Sequence, residues 1–196
     1  MAVPEIRTTN LRLRPFTPDD VDNIRRLWTD PGVRKYLWDD EVISRDEAAS
    51  AVQKSVELFG RDGLGLWAVF PGEEDPLIGF GGYWFFHEPP ELQILYGIAP
   101  THWGRGLAVE VARAMIRYGF EHLRLDQIVG STDAPNQASR RVMEKAGMKF
   151  EKQVDQNGLD TMYYTIVRED FQPDDHSICS GRFRADSALT VPFTWC

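Results

Sequence analysis

The sequence predicts a single α/β domain in which helices flank one mixed sheet. Three observations support it: alternating apolar and polar residues indicate strands, apolar residues three or four positions apart indicate helices, and these elements follow the order strand, two helices, three strands, helix, strand, helix, two strands. The 196 residues, 42% of them hydrophobic, are enough for one core. We expect the domain to occupy residues 1–172, followed by a C-terminal tail of unknown order at residues 173–196.

The chain begins with an alternating strand and a well-marked helix. Residues 11–14 alternate and predict a strand at the edge of the sheet. Thr17, followed by a proline and two aspartates, is typical of a helix start, and apolar positions continue that helix to Trp28. Pro31 and the glycine after it are expected to end the helix, and residues 36–38 predict a short helical or irregular piece.

A second helix and two strands come next. Ser44 and Glu47 form a capping box, and the apolar positions after them predict a helix that ends near Gly60. Residues 64–70 and 77–86 predict two strands joined by a polar hairpin turn. Three glycines within the second strand indicate a bulge or a close approach of the backbone to a neighbour.

The second half of the chain contains the central strand. Alternation over residues 91–98 predicts this strand, and Pro100 ends it. From Gly106 the apolar period becomes that of an amphipathic helix. The later predicted elements are a strand at residues 127–132, a helix that begins at Asn136 and ends at Gly147, and two strands at residues 148–154 and 161–167.

A glycine-containing loop, Trp103-Gly104-Arg105-Gly106-Leu107-Ala108, connects the central strand to its helix. The two glycines let the backbone approach a ligand, and the first N–H groups of a helix have no partner within the helix. Together with the helix dipole, these groups predict an anion site, most naturally for a phosphate. A nucleotide P-loop would require lysine followed by Ser or Thr, and a dinucleotide loop would require glycine at Val109. A tight turn before a core helix is the competing interpretation.

Two segments resemble the GNAT N-acetyltransferase superfamily. The loop resembles its pyrophosphate motif, usually written Q/R-x-x-G-x-G/A: Gly106 and Ala108 match, whereas Trp103 replaces Gln or Arg. The form WGRGLA is similar to the branch that contains the ribosomal-protein N-terminal (RimJ/RimL-like) acetyltransferases. Residues 136–148 resemble the later N-x-x-S segment of the superfamily, and the resemblance covers residues 9–171.

This resemblance implies a mostly antiparallel sheet that is splayed at its central strands. It also implies an enzyme that transfers acetyl directly from acetyl-CoA to a primary amine, without a metal. The Ile98 N–H is the candidate donor to the thioester carbonyl, an ordinary ladder hydrogen bond being the alternative, and Ser139 is the candidate general acid. Asn136 is assigned to the pantetheine arm or, alternatively, to a simple helix cap. The residues expected to hold acetyl-CoA are Ile98, Trp103, Gly104, Arg105, Gly106, Leu107, Ala108, Asn136 and Ser139.

The general base is sought among polar residues near the strand ends. Glu91 acting through a water is the first choice, ahead of His102 and Asp133. Gln93 stands where relatives often have Glu, and glutamine cannot accept a proton. An α-amine with a pKa near ~8 is partly neutral at pH 7, whereas a lysine amine near ~10.4 is almost fully protonated. A site without a strong base therefore favours an α-amine acceptor.

Aromatic residues are the expected walls of the acceptor pocket. By resemblance, the two early helices and their linker form part of this pocket. The candidates are Trp28, Tyr36, Trp38, Tyr83 and Tyr96. For the first three of them, plain core packing is the alternative. The first choice of acceptor is the α-amine of a peptide or protein N-terminus, and the second is a small-molecule amine. A CoA-binding sensor or interaction module with little turnover is the alternative of another class.

The composition limits the partners. A net charge of −8 disfavours a nucleic-acid ligand. No apolar run has the length of a membrane span, and the N-terminus lacks the pattern of a signal peptide, so we expect no membrane partner and a cytoplasmic location. The two cysteines, Cys179 and Cys196, lack metal-ligand spacing and fit a reducing compartment. We expect a monomer or a homodimer.

Overall fold

The computed structural model describes residues 5–156, 158–173 and 177–178 of the chain. Within these residues it contains nine strands and five α-helices. In chain order they are β1 (Ile6–Thr8), β2 (Arg12–Pro15), α1 (Val21–Trp28), α2 (Pro31–Leu37), α3 (Arg45–Asp62), β3 (Leu66–Phe70), β4 (Gly79–Phe86), β5 (Glu91–Ile98), α4 (Leu107–Glu121), β6 (Gln127–Asp133), α5 (Gln137–Lys145), β7 (Lys149–Gln156), β8 (Leu159–Val167) and β9 (Ser177–Ile178).

All these strands form one sheet, in the order β7-β8-β6-β5-β4-β3-β2-β1-β9. Neighbouring strands are antiparallel, except that β5 runs parallel to β6. These two central strands share a single register pair, Gln93 opposite Val129, and they diverge beyond it toward their carboxyl ends. The predicted mixed, mostly antiparallel sheet with splayed central strands is therefore confirmed.

One face of the sheet carries α4 and α5, and we call it the α4 face. Side chains alternate between the two faces along a strand, so every second residue of β5 points the same way. Ile94 and Ile98 of β5 pack with Val111 and Met115 of α4 in one hydrophobic cluster. Met143 of α5 belongs to the same cluster, which places α5 on this face as well.

The opposite face carries α1 and α2, and we call it the α1 face. Its hydrophobic cluster joins Ile24 of α1, Val33 of α2, Val52 of α3 and Phe80 of β4. Leu95 of β5 packs against this second cluster, as its position between Ile94 and Tyr96 requires. Residues that are adjacent along β5 therefore serve opposite faces of the sheet.

A buried ion pair joins the sheet to the start of α1. Two nitrogens of Arg14 on β2 donate to Asp20 at 2.7 and 2.8 Å, and the Asp20 side chain is only 4% exposed. Burial alone would raise the pKa of Asp20, but the Arg14 guanidinium and the Thr17 N–H outweigh it and hold this pKa below its usual value. The pair thus ties the start of α1 to β2.

Several local predictions need correction. The predicted edge strand at residues 11–14 lies inside the sheet, because β1, which was too short to show a pattern, covers it. Pro31 begins α2 rather than breaking a helix, since Asp30 caps the new helix by accepting a hydrogen bond from Gly32 N–H. The Ser44–Glu47 capping box is confirmed, but α3 continues to Asp62.

The C-terminal residues fall largely outside the description. Of the tail predicted at residues 173–196, the structure describes residue 173 and β9, which pairs with β1. Cys179 and Cys196 lie outside the described residues. The domain boundary at residue 172 stays a prediction. Among the described helices, none combines the length and apolar character needed to cross a membrane.

Candidate active site

A cavity of about 650 Å³ opens where β5 and β6 diverge. On the α4 face its walls include Leu107 at the start of α4 and Ser139 of α5. On the α1 face they include Gly32 and Tyr36 of α2. Because residues from both faces line one cavity, the space passes through the sheet between the two central strands.

The loop before α4 has the geometry of an anion site. Gly104 and Gly106 have φ values of 76° and 80°, which favour glycine, and a Cβ added at either position would meet no atom within 4 Å. Gly106 is the N-cap of α4 and offers no side-chain acceptor to the first N–H groups of the helix. The backbone N–H groups of Leu107 and Ala108 therefore lie at the positive end of α4 beside the cavity.

Trp103 ties this loop to the end of β5. Its indole N–H donates to the carbonyl of Ile98 at 2.6 Å. The outer edge of its ring lies against Gly32 of α2, where a Cβ would come within 2.9 Å of Trp103 Cη2. Trp103 is nevertheless 55% exposed and lines the cavity. The tryptophan that replaces the Gln or Arg of the motif thus joins the loop, the strand and α2.

The edge of β5 presents free backbone donors to the opening. The Ala99 N–H donates to the Ile78 carbonyl at 2.7 Å, so Ala99 bonds toward the β4 side. Since bonding alternates along an antiparallel strand, the N–H groups of Ile98 and Tyr96 point to the opposite side, toward β6. There β6 has already diverged, so both N–H groups face the cavity. This position is what the predicted contact of the Ile98 N–H with the thioester carbonyl requires.

Ser139 and Tyr96 form a hydrogen-bonded pair within the α4 half of the cavity. The Tyr96 phenol donates to the Ser139 carbonyl at 3.1 Å and lies 3.0 Å from Ser139 Oγ. Burial raises the pKa of Tyr96 well above its usual value, with only partial compensation by the bond to Ser139, so the phenol stays protonated. The Asn136 side chain accepts from the Ser139 N–H at 3.1 Å, which confirms its role as helix cap.

A buried chain of hydrogen bonds lies on the α1 side of the same opening. Gln93 is 2% exposed, and its amide nitrogen donates to Glu91 Oε2 at 2.6 Å. The Ser131 hydroxyl donates to Gln93 Oε1, also at 2.6 Å. Ser131 lines the cavity, whereas Glu91 and Gln93 lie behind it. The arrangement connects the cavity wall to a carboxylate through two side chains.

Comparison with known proteins identifies the family. Residues 10–149 match the family model described as acetyltransferase (GNAT) domain. The chain belongs to the GNAT acetyltransferase family. It is an acetyl-CoA-dependent N-acetyltransferase, as the two segments of the sequence predicted.

Individual relatives agree with this assignment. The uncharacterized N-acetyltransferase YoaA of Bacillus subtilis is 30% identical over 172 residues, which cover 84% of this chain and 97% of YoaA. The FsC-acetyl coenzyme A-N(2)-transacetylase of Aspergillus fumigatus is 32% identical over 162 residues, covering 75% and 66% of the two chains. A solved structure of RimL, a ribosomal L7/L12 α-N-protein acetyltransferase in complex with coenzyme A, shares the fold, with a TM-score of 0.71 at 20% identity over 85% and 99% of the chains.

The acetyltransferase brings most of the predicted cofactor residues together. Those that line the cavity are Ile98, Trp103, Gly104, Gly106, Leu107, Ala108, Asn136 and Ser139. Arg105 is exposed and is not a wall residue. The cradle of backbone N–H groups with open space at both glycines fits a pyrophosphate. Two cations that the motif did not indicate, Arg141 and Lys145 of α5, also line it.

The structure brings only some of the aromatic residues predicted for the acceptor pocket to the cavity. Tyr36 and Tyr96 line the cavity, but Trp28, Trp38 and Tyr83 do not. Trp28 packs against Trp38 with ring centroids 5.7 Å apart. Tyr83 is 1% exposed and donates to the Met115 carbonyl of α4 at 2.8 Å. Trp28 and Tyr83 are core aromatics, and the half-buried Trp38 packs against the core.

Not all candidate bases of the acetyltransferase lie on the cavity wall. Glu91, the first choice, is not a wall residue and reaches the cavity through Gln93 and Ser131 instead of directly. His102 lines the cavity on the loop before α4, and its Nδ1 lies 2.9 Å from the hydroxyl of the preceding threonine. Burial, and then the charge of Asp39, raises the pKa of Asp133 at the end of β6. In the part of the chain that the structure describes, no group of three or more acidic, His or Cys side chains is placed to hold a metal.

Proposed function

We propose that this acetyltransferase moves the acetyl group directly to the α-amine of a peptide or protein N-terminus, with a small-molecule amine as the second choice. The observation that carries the proposal is the cavity that passes through the sheet between β5 and β6. A thioester entering from the α4 face and an amine entering from the α1 face would meet in line at this opening. Such an arrangement brings the two reactants together without a covalent enzyme intermediate.

The α4 face supplies what acetyl-CoA requires. The N–H groups of Leu107 and Ala108 would hold the pyrophosphate at the helix N-terminus. Arg141 and Lys145 add positive charge to the same half of the cavity. The free N–H groups along the β5 edge would bond the extended pantetheine arm and the thioester carbonyl, with Ile98 as our candidate for the carbonyl and Tyr96 as the neighbouring donor.

The transfer step can be written with the residues present. The amine lone pair attacks the carbonyl carbon, the C–N bond forms and the C–S bond breaks with its electron pair on sulfur. Ser139 would donate a proton to the departing thiolate and recover one from solvent, while the Tyr96 phenol, 3.0 Å from Ser139 Oγ, holds the hydroxyl in place. The amine nitrogen releases its own excess proton to water.

The polar groups of the cavity favour an acceptor that is easily deprotonated. Among the described residues, the cavity wall includes no Asp or Glu, and of the predicted bases it includes only His102. An α-amine with a pKa near ~8 needs no strong base, since about a tenth of it is neutral at pH 7. The RimL neighbour is an α-N-protein acetyltransferase by name, which agrees with this choice.

Thiol release from acetyl-CoA tests the proposal. The acceptors are peptides with a free N-terminus and no lysine, the same peptides with an acetylated N-terminus and one lysine, and spermidine. We expect turnover with the first set and little with the second. A preference for lysine side chains would contradict the α-amine proposal, and turnover with spermidine alone would support the second choice. Saturable CoA binding without turnover on any amine would indicate a binding module.

A further inference from the structure

The hydrogen-bond chain on the α1 side has a direction that its chemistry imposes. A carboxylate such as Glu91 only accepts hydrogen bonds, so the Gln93 atom 2.6 Å from it must be the amide nitrogen. The other end of that amide, Oε1, must then face Ser131. Since Oε1 carries no hydrogen, the single hydroxyl proton of Ser131 points at Gln93.

This direction determines what Ser131 offers to the cavity. Its only proton is used inside the wall, so the hydroxyl presents lone pairs alone to the open space that it lines. Ser131 lies on the α1 side of β6, because a Cβ on the adjacent Gly130 would point at Ile94 and Met143 of the α4 face. The half of the cavity proposed to receive the amine therefore contains a hydroxyl group that can accept hydrogen bonds but has no proton left to donate.

We propose that Ser131 receives a hydrogen bond from the acceptor amine, and that Glu91 and Gln93 hold Ser131 in this role. The inference rests on the proposed function. A primary amine must keep its lone pair for the carbonyl carbon and has only N–H groups left for the enzyme. A wall that offers acceptors and no donor at this point orients the amine in that way and does not compete for its lone pair. Glu91 and Gln93 are thus positioning residues, and Ser131 is the contact.

Steady-state kinetics with alaninamide, a minimal α-amine, tests the proposal. Ser131→Ala removes the acceptor, and we expect the KM for alaninamide to rise about tenfold, while the KM for acetyl-CoA changes less than about twofold. Ser131→Thr keeps the hydroxyl and should restore the KM for alaninamide. Glu91→Gln lets either end of the Gln93 amide face Ser131, and an intermediate rise of about threefold is expected. Equal changes in the KM of both substrates, or no change in the KM for alaninamide, would contradict the proposal. The hydrogen bonds from Glu91 to Ser131 would then only hold β5 and β6 together.

A binding measurement separates failure of this inference from failure of the proposed function. If the wild-type enzyme does not turn over alaninamide, the amide resonances of the Gln93 side chain are followed by NMR in CoA-saturated protein as alaninamide is added. A shift in the wild type that Ser131→Ala abolishes would support the contact although the α-amine proposal had failed. The absence of any shift in the wild type, or the same shift in Ser131→Ala, would overturn the inference.

Discussion

The two halves of the cavity are built from different kinds of groups. On the α4 face the cofactor motif offers backbone N–H groups from the start of α4 and from the edge of β5, beside the side chains of Ser139 and two cations of α5. On the α1 face the polar groups are side chains from separate elements, Tyr36 of α2 and Ser131 of β6, with Gln93 of β5 bonded to Ser131 behind the wall. A backbone site depends on one short stretch of sequence, whereas a side-chain site depends on how distant elements pack. The first can hold the same cofactor across a family, while the second can change its acceptor by single substitutions.

The largest effect is expected from adding charge to the backbone site. Gly106→Glu places a carboxylate at the N-terminus of α4, in space that is open in this structure. Repulsion between like charges about 4 Å apart in a partly shielded site costs roughly 4 kcal/mol, so CoA affinity should fall about 1,000-fold by calorimetry.

Gly158→Glu is the matched control for this change. Gly158 also has a positive φ, 86°, with open space around it, and it lies in the turn before β8, away from the cavity. Gly158→Glu therefore introduces the same kind of backbone strain, but it places the new carboxylate far from the proposed pyrophosphate site. Equal loss of CoA binding in both variants, or full binding by folded Gly106→Glu, would remove the anion site from the account.

The second prediction concerns a substitution that destabilises the α1 face and should leave the CoA-binding half of the cavity intact. Asp20→Asn removes one partner of the buried pair with Arg14 and should lower the free energy of unfolding by about 3 kcal/mol in urea titrations. Asp22→Asn breaks the exposed pair with Arg45 and should change it little. CoA affinity of the folded Asp20→Asn protein should stay within about twofold of wild type. Loss of CoA affinity would show that the two halves are coupled.

The pH dependence of this effect has a definite sign. The pKa of Asp20 is lowered in the folded protein, so its stabilising contribution is present above its unfolded pKa, near ~4. The contribution is lost as the pH falls through the folded pKa. The stability difference between wild type and Asp20→Asn should therefore be constant near neutral pH and shrink below about pH 4. A difference that grew in acid would contradict the assignment.

The third prediction concerns proton donation on the α4 face. Ser139→Ala should lower kcat about 100-fold, with CoA affinity nearly unchanged, because it removes the donor to the thiolate. Tyr96→Phe should lower kcat less, and the double variant should lose less than the sum of both, because the two groups act as a pair.

A buried phenol outside the cavity provides the control. Tyr164 also bonds to α5, through Glu144 and Arg140, but it is not a wall residue. Tyr164→Phe should leave kcat within about twofold. If Ser139→Ala weakens CoA binding and leaves kcat unchanged, Ser139 is a cofactor ligand and not the acid.

The smallest effect is expected where a side chain supports the backbone site. Trp103→Phe removes the donor to the Ile98 carbonyl and shortens the ring that reaches Gly32, and CoA affinity should fall about threefold to tenfold. Trp84→Phe, on β4 and outside the cavity wall, is the control and should have no effect. An unchanged affinity in Trp103→Phe would mean that the loop holds its shape without this bond.

The difference between the two halves also explains how much the sequence could predict. The loop at Gly106 and the Asn136–Ser139 pair are local motifs, and the structure places both on the cavity wall. Tyr83 is one of the aromatic residues predicted to line the acceptor pocket. Its position opposite Ile94 in the β4–β5 register turns it toward α4, and no local pattern shows this.

The role of Ser131 could not have been predicted from its surroundings in the sequence. It becomes visible only when the parallel pairing of β5 and β6 places it beside Gln93, 38 positions away. The short β1 was missed for a related reason, since three residues cannot show a period and the pairing with β2 defines the strand.

A crystal structure with a bisubstrate analogue, in which CoA is joined through an acetyl group to the α-amine of alaninamide, tests the central claim most directly. The account predicts the pyrophosphate at the Leu107 and Ala108 N–H groups on the α4 face, the linker between β5 and β6, and the amide nitrogen beside Ser131 on the α1 face. An analogue with both halves on one face of the sheet, or with its pyrophosphate away from α4, would contradict it.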